Sequence, residues 1–294
     1  MSVKERVAQT IESLSEDESS QDDLSSPYSH VFFVTSWGYA ADHWFAWFVK
    51  ALNAHPEMLV YLANEGSRPK YYPEERSRSE RPDIVKFTQF LADVGMTYTA
   101  IGDCYSYRVP MMKPVFEKWR DVVPVLHLTR HPYAWLRFYV RWRTHNMRMA
   151  EGRTGPLEHE WNVANHELFG KLGLMPYEKK DVEVWASYQG MLMLNGIISD
   201  AQTSITSERM ENVVNNPEQF ARIVKYLTHG RVVYEESLLA KVYSWVWTPF
   251  RGEGLLRVVP EEDHAAWPDW KREAFYKIVR EDAIDLFRQL GYEL

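Results

Sequence analysis

Three side chains have the chemical type and position needed to take a proton from a hydroxyl group. His43 lies at the predicted start of a helix, and an imidazole pKa near 6.5 suits a general base. Asp103 and Glu65 each follow a predicted strand, and the carboxyl ends of strands are where α/β sheets bind ligands. Structural roles are the alternatives: a backbone hydrogen bond for His43, and an ion pair with arginine for each carboxylate.

A basic segment adds the chemistry of anion binding. No acidic residue occurs between Val122 and Ala150. The same segment contains five arginines: Arg130, Arg137, Arg141, Arg143 and Arg148. In a chain with a net charge of −7, this local excess indicates an anion site rather than a nucleic-acid surface. The alternative is an exposed helix face whose charges are solvated.

The segment 30–53 has the pattern of a strand, a turn and a helix. The apolar run at 30–36 predicts a buried parallel strand, and 42–53 predicts a helix. The start of such a helix offers N–H groups and a positive dipole end to an anion. Neither GxxxxGK[ST] nor GxGxxG occurs here, which argues against an ordinary P-loop ATPase and against a dinucleotide fold.

Strands and helices alternate along the rest of the chain. Further strands are predicted at 58–62, 97–101, 122–128 and 203–207. Helices are predicted at 3–14, 84–94, 113–120, 133–149, 182–199, 217–226 and 269–289, with 151–180 irregular. The alternation predicts an α/β fold, a doubly wound and mostly parallel sheet with helices on both faces.

Composition limits the class of protein. The 294 residues are 45% apolar and 14% aromatic, enough for a substantial core. Residues 1–27 carry −5 of the net charge and are predicted to be a flexible acidic lead-in to a single domain over 28–294. One cysteine, no long apolar run and no signal-peptide pattern predict a cytoplasmic protein without membrane contact. No cysteine–histidine cluster has metal-ligand spacing, so no metal is predicted.

Several short motifs occur in a characteristic order. They are the loop 36–45, the helix ending LNAHPE at 52–57, the strand 126–128 followed by Thr129-Arg130-His131-Pro132, and shorter segments at 101–103, 205–210, 216–218, 250–254 and 290–293. Together they resemble the sulfotransferases that use 3′-phosphoadenosine 5′-phosphosulfate (PAPS). The resemblance covers residues 28–294.

This resemblance implies a P-loop sulfotransferase-like three-layer fold and an enzyme that transfers a sulfuryl group from PAPS. The acceptor would be a hydroxyl or amine of an unidentified small molecule or glycan, and 3′,5′-adenosine bisphosphate would be the product. Neither a metal nor a nucleic acid is implied as a partner. The implied donor-binding residues are Trp37, Gly38, Tyr39, Ala40, Ala41, Asp42, His43, Trp44, Arg130, Arg137, Arg251 and Gly252.

Three positions depart from the family pattern. Tyr39 replaces a loop Lys or Arg, Asp42 lies at the phosphate-facing turn, and Phe138 replaces a Ser that helps to hold the 3′-phosphate. A phenol donates one hydrogen bond but carries no positive charge near neutral pH. Two other interpretations therefore stay open. One is a sulfotransferase-fold binding protein that has lost donor chemistry, and the other is a transferase that uses a different phosphorylated donor.

Overall fold

A computed structural model describes most of the chain. The described residues are 26–36, 43–62, 83–104, 108–150, 165–175, 181–203, 205–245 and 264–294. Within these ranges the side chains of residues 43, 62, 142, 145–150 and 165–166 are not described. The helix predicted at 3–14 lies outside the described residues.

Five strands and a series of helices follow one another in chain order. The strands are β1 (Val31–Ser36), β2 (Met58–Leu62), β3 (Ala100–Cys104), β4 (Val125–Thr129) and β5 (Thr206–Arg209). The helices are α1 (His43–Leu52), α2 (Ile84–Val94), α3 (Lys113–Trp119), α4 (Pro132–Ala150), α5 (Asn165–Lys171), α6 (Val182–Leu194), α7 (Ile197–Ala201), α8 (Met210–Asn215), α9 (Pro217–Leu227), α10 (Glu236–Tyr243), α11 (Asp269–Ile278) and α12 (Glu281–Gln289). Two 3₁₀ turns lie at Gly95–Thr97 and Val109–Met112.

The chain divides into two compact units. One comprises Met1–Thr129 and Thr203–Leu256, and the other comprises Arg130–Gln202 and Arg257–Leu294. The sheet belongs to the first unit. The single domain over 28–294 stays a prediction. Among the described helices, none has the length and apolar character needed to span a bilayer.

The sheet is parallel throughout, with strand order β2-β3-β1-β4-β5. β1 is central, since Val31 pairs with Ile101 of β3 and Phe33 pairs with Val125 of β4. A parallel sheet needs apolar cover on both faces. The predicted doubly wound parallel sheet is confirmed.

Successive residues of β1 point to opposite faces and enter two separate cores. Phe32 and Val34 belong to a core formed with α1, α8 and α9, which we call the α1-side core. Val31 and Phe33 belong to a core formed with α2 and α3, which we call the α2-side core. Helices therefore cover both faces of the sheet, as the alternation of elements predicted.

The connections around β1 fix where a ligand can enter. β1 leads into α1 on one face, while its neighbour β3 leads into α3 on the other. Such a divergence opens a crevice at the carboxyl ends of two adjacent strands. Here those ends are Ser36 of β1 and Cys104 of β3.

In the second unit, α4 packs along α6, and Gly190 allows the close approach. A Cβ atom at this position would lie 2.5 Å from Leu136 Cδ1 and 2.7 Å from Tyr139 Cδ1. Tyr139 in turn stacks on Trp135, with ring centroids 5.2 Å apart. The contact therefore requires a residue without a side chain on α6.

The single helix predicted at 269–289 is wrong, because the chain forms two helices there. Val279 and Arg280 adopt extended conformations between α11 and α12. The Asn195 amide donates to the Ile278 carbonyl at 2.9 Å, and its oxygen accepts from the Arg280 N–H at 2.8 Å. These bonds satisfy the backbone groups that the break exposes. The predicted helix 182–199 is likewise two helices, α6 and α7, and α5 lies in a segment predicted to be irregular.

Candidate functional site

Arg130 lies directly after β4, at the junction that leads into α4. Its side chain is only 6% exposed. The guanidinium carbon lies 4.3 Å from the centroid of the Phe138 ring, two turns into α4. At this distance the guanidinium and the ring form a cation–π contact. Phe138 therefore packs against this guanidinium and restricts where it can lie.

His131 anchors the backbone next to Arg130. The Tyr133 N–H donates to His131 Nδ1 at 3.3 Å, so Nε2 carries the proton and donates to the Glu293 carbonyl at 3.1 Å. The ring also packs between Tyr133 and Tyr292, with centroid distances of 5.0 and 5.4 Å. Within the second unit, this packing fixes the backbone at the start of α4, next to Arg130.

In the first unit, His127 and Thr35 form a buried polar pair on the α2 side of the sheet. Thr35 Oγ1 and His127 Nδ1 are 2.9 Å apart, across the β1–β4 pairing. Burial, and to a smaller extent the nearby charge of Arg108, lower the pKa of His127 to about 3. The imidazole is therefore neutral at every physiological pH.

Asp103 occupies the carboxyl end of β3, paired in register with Phe33 and Tyr61. It is 2% exposed. Burial raises the pKa of the adjacent Cys104 thiol well above its usual value, and the Asp103 charge raises it further. Cys104 is therefore a protonated core residue rather than a nucleophile.

The other predicted site residues are placed only in part. His43 begins α1, but its side chain is not described, and Trp44 is 7% exposed in the α1-side core. Arg137 is half-buried on α4. Glu65, residues 37–42, Arg251 and Gly252 lie outside the described residues. Of the three candidate bases, the structure describes the side chain of Asp103 alone.

Three polar residues near the sheet edge were not among the predicted site residues: Thr35, Arg108 and His127. The signal in the sequence was a histidine inside the apolar strand VLHLT. A polar side chain in a strand buried on both faces needs partners there. Its hydrogen-bond partner, Thr35, comes from β1, and the Arg108 charge that acts on it comes from the segment after β3, so sequence spacing alone reveals neither.

Glu208, at the end of β5, is accounted for structurally. Asn212 donates to Glu208 Oε1 at 2.9 Å, and Gln219 bonds the other carboxylate oxygen. Arg209 donates to Asn212 at 2.9 Å. This network joins β5 to α8 and α9. In the described part of the chain, no group of three or more His, Cys, Asp or Glu side chains is arranged to hold a metal.

No protein-family model matches this sequence. No curated protein matches it either. Among solved structures, the chain is similar to the crystal structure of a sulfotransferase from Alicyclobacillus acidocaldarius. The two are 14% identical, the match covers 90% of this chain and 96% of that one, and the TM-score is 0.40.

Proposed function

We propose that this protein is a sulfotransferase that transfers a sulfuryl group from PAPS to a hydroxyl or amine of a small-molecule or glycan acceptor. The observation that carries the proposal is Arg130. It is a permanently charged, largely buried guanidinium immediately after a parallel strand, at the position where the resemblance expects a 3′-phosphate ligand.

The geometry around Arg130 supports a phosphate-binding role. Its guanidinium is oriented by Phe138 and its backbone by the bonds of His131. A planar guanidinium held in one orientation can give two parallel hydrogen bonds to phosphate oxygens. The residues described around this arginine therefore fit the 3′-phosphate of the donor.

Bound PAPS would supply the activated sulfuryl group. The protein's part would be to bind the bisphosphate, to position the acceptor and to accept its proton. Arg130, with Arg137 or Arg251, would bind the 3′-phosphate. His43, Asp103 and Glu65 remain the candidate bases, and Asp103 could serve only if the acceptor reached a side chain that is 2% exposed.

A binding protein without transferase activity is the second candidate. The observation in its favour is Phe138, whose ring centroid lies 4.3 Å from the guanidinium carbon of Arg130, at the position where the family has a hydrogen-bonding Ser. Such a protein would bind the bisphosphate but would not consume PAPS. The transferase proposal therefore requires both binding and turnover.

The first experiment is a calorimetric titration with 3′,5′-adenosine bisphosphate, with 5′-AMP as the ligand control that lacks the 3′-phosphate. A charge-assisted bond to phosphate contributes roughly 1.5–3 kcal/mol, so Arg130→Ala should weaken binding by about ten- to a hundredfold. The exposed Arg141 of α4 provides the matched control, Arg141→Ala. No binding of the bisphosphate at millimolar concentration, or equal affinity in Arg130→Ala, would contradict the proposal.

A further inference from the structure

The guanidinium of Arg108 is a cation on the α2 side of the sheet, and its surroundings described here belong to the first unit. It precedes the 3₁₀ turn Val109–Met112, and its carbonyl accepts from the Met111 N–H at 2.9 Å. Val109 and Met112 are fully buried, and Met112 joins Phe33 and Val125 in the α2-side core. This packing fixes the backbone from which the Arg108 side chain extends.

The electrostatic surroundings of Arg108 are unusual for an arginine of this burial. Its Nε is buried, and no residue in the described part of the chain accepts a hydrogen bond from it. Nor does any carboxylate among the described residues form an ion pair with it. A cation that is partly removed from water is unfavourable unless an anion or strong acceptors compensate it.

His127 and Thr35 contribute no negative charge. Asp103, a buried carboxylate on the same face of the sheet, pairs with Phe33 two residues before Thr35, and among the described residues it forms no ion pair with Arg108. The Arg108 guanidinium is close enough to His127 for its charge to lower the pKa of that imidazole, and His127 is neutral and bonded to the Thr35 hydroxyl. The cluster of Arg108, His127 and Thr35 therefore carries one net positive charge. It lies beyond Phe33 and Val125 along β1 and β4, toward the carboxyl ends of the strands, where ligands enter α/β sheets.

We propose that Arg108, supported by His127 and Thr35, forms an oxyanion-binding subsite for a sulfate, phosphate or carboxylate group of a ligand. A guanidinium matches the planar or tetrahedral oxygens of these groups. The proposal does not depend on sulfuryl transfer, and it adds a second anion position to the one proposed for Arg130.

The test uses inorganic sulfate and inorganic phosphate as probes. Each is titrated by calorimetry into the full chain carrying Arg130→Ala, with ionic strength held constant by chloride, so that binding at Arg130 does not contribute. Adding Arg108→Gln should weaken the remaining anion binding by about tenfold or more. Arg120→Gln, which neutralises an exposed arginine just after α3, is the matched control and should leave it unchanged. Equal affinity with and without Arg108→Gln would overturn the proposal, as would the absence of sulfate and phosphate binding in the Arg130→Ala chain.

Thermal stability without added anion provides an independent readout. If Arg108 is held for a ligand, Arg108→Gln removes an uncompensated charge, and the Tm should stay the same or rise. If Arg108 instead pairs with a carboxylate elsewhere in the chain, the same change leaves that carboxylate without its cation, and the Tm should fall by several degrees. A fall of that size, or a failure to fold, would overturn the proposal.

Two competition arms then identify the source of the oxyanion. Adenosine bisphosphate is titrated into the unmodified chain and into Arg108→Gln, each with and without saturating sulfate. If the subsite receives a donor phosphate, sulfate weakens bisphosphate binding in the unmodified chain more than in the variant. If the subsite receives an anionic group of the acceptor, sulfate and bisphosphate bind together.

Discussion

At the scale of single residues, the contact between Arg130 and Phe138 carries a direct prediction. Phe138→Leu keeps an apolar side chain but removes the ring that orients the guanidinium. Cation–π contacts contribute roughly 0.5–2 kcal/mol, so bisphosphate affinity should fall about two- to thirtyfold. Titration calorimetry measures this. Phe138→Tyr keeps the ring and should bind like the unmodified protein, and equal losses in both variants would contradict an orienting role.

His127 carries a prediction about pH and stability. Its folded-state pKa of about 3 lies below the unfolded value near 6.5, so the unfolded chain binds a proton that the folded chain does not. Its contribution is present above pH 6.5 and is lost as the pH falls toward 3. The loss is roughly 1.4 kcal/mol per pH unit, or about 2 kcal/mol at pH 5.

Urea unfolding at pH 7 and pH 5 measures this loss. His127→Asn keeps a side-chain group near the position of Nδ1 but does not titrate. The difference in unfolding free energy between the two pH values should therefore be smaller in the variant by about 2 kcal/mol. An unchanged difference would show that His127 is accessible to protons in the folded state.

At the scale of elements, the two hydrogen bonds of Asn195 at the break between α11 and α12 should contribute to the stability of the fold. Asn195→Ala leaves the Ile278 carbonyl and the Arg280 N–H without their partner. The expected loss is about 1–3 kcal/mol in the free energy of unfolding, measured by urea denaturation. Asn215→Ala removes a comparable but exposed bond to the Glu211 carbonyl and should change stability by less than about 0.5 kcal/mol.

Two helical glycines make a second matched pair. Gly190→Ala places a methyl group against Leu136 and Tyr139, and overpacking of this kind costs about 1–3 kcal/mol. Gly170→Ala on α5 meets nothing within 4 Å and should be neutral or stabilising by up to about 1 kcal/mol, since alanine favours the helix. Equal Tm values for the two variants would contradict the close α4–α6 contact.

The elements also show where sequence patterns suffice. The predicted helix 84–94 matches α2 at both ends, because Asp83 accepts from the Val85 and Lys86 N–H groups and fixes the start locally. β3 was predicted at 97–101 but occupies 100–104, because pairing with β1 and β2, rather than apolar content, sets the ends of a buried strand. The break between α11 and α12 depends on Asn195, a contact between distant parts of the sequence.

The candidate site residues also divide into those that a local sequence pattern indicates and those that depend on the order of the strands. The role of Arg130 stays a prediction, and it could be made because a strand followed by Arg-His-Pro is a local pattern that carries the resemblance. The Arg108–His127–Thr35 cluster was not predicted, because it requires β1 and β4 to be neighbours. Strand order is a property of the whole sheet and cannot be predicted from any one segment of the sequence.

At the scale of the whole molecule, the proposed donor predicts a linkage between binding and stability. A ligand present at a hundred times its dissociation constant stabilises the folded state by about 2.7 kcal/mol. Adenosine bisphosphate should therefore raise the Tm, and the increase should be smaller in Arg130→Ala at the same concentration. Differential scanning fluorimetry tests this, with 5′-AMP as the control ligand. Equal increases in Tm with both ligands would show that the 3′-phosphate does not contribute to binding.

The central place of β1 has a consequence for the synthesis of the chain. β1 leaves the ribosome before its neighbours, yet Val31 pairs with Ile101 and Phe33 with Val125. At about 5–20 residues per second, this apolar strand waits several seconds for its partners. During that time VFFVT is an unpaired, aggregation-prone segment. The yield of folded protein in the cell should therefore depend on chaperones that bind nascent apolar strands. It should also depend on the rate of translation through the segment that ends with β4.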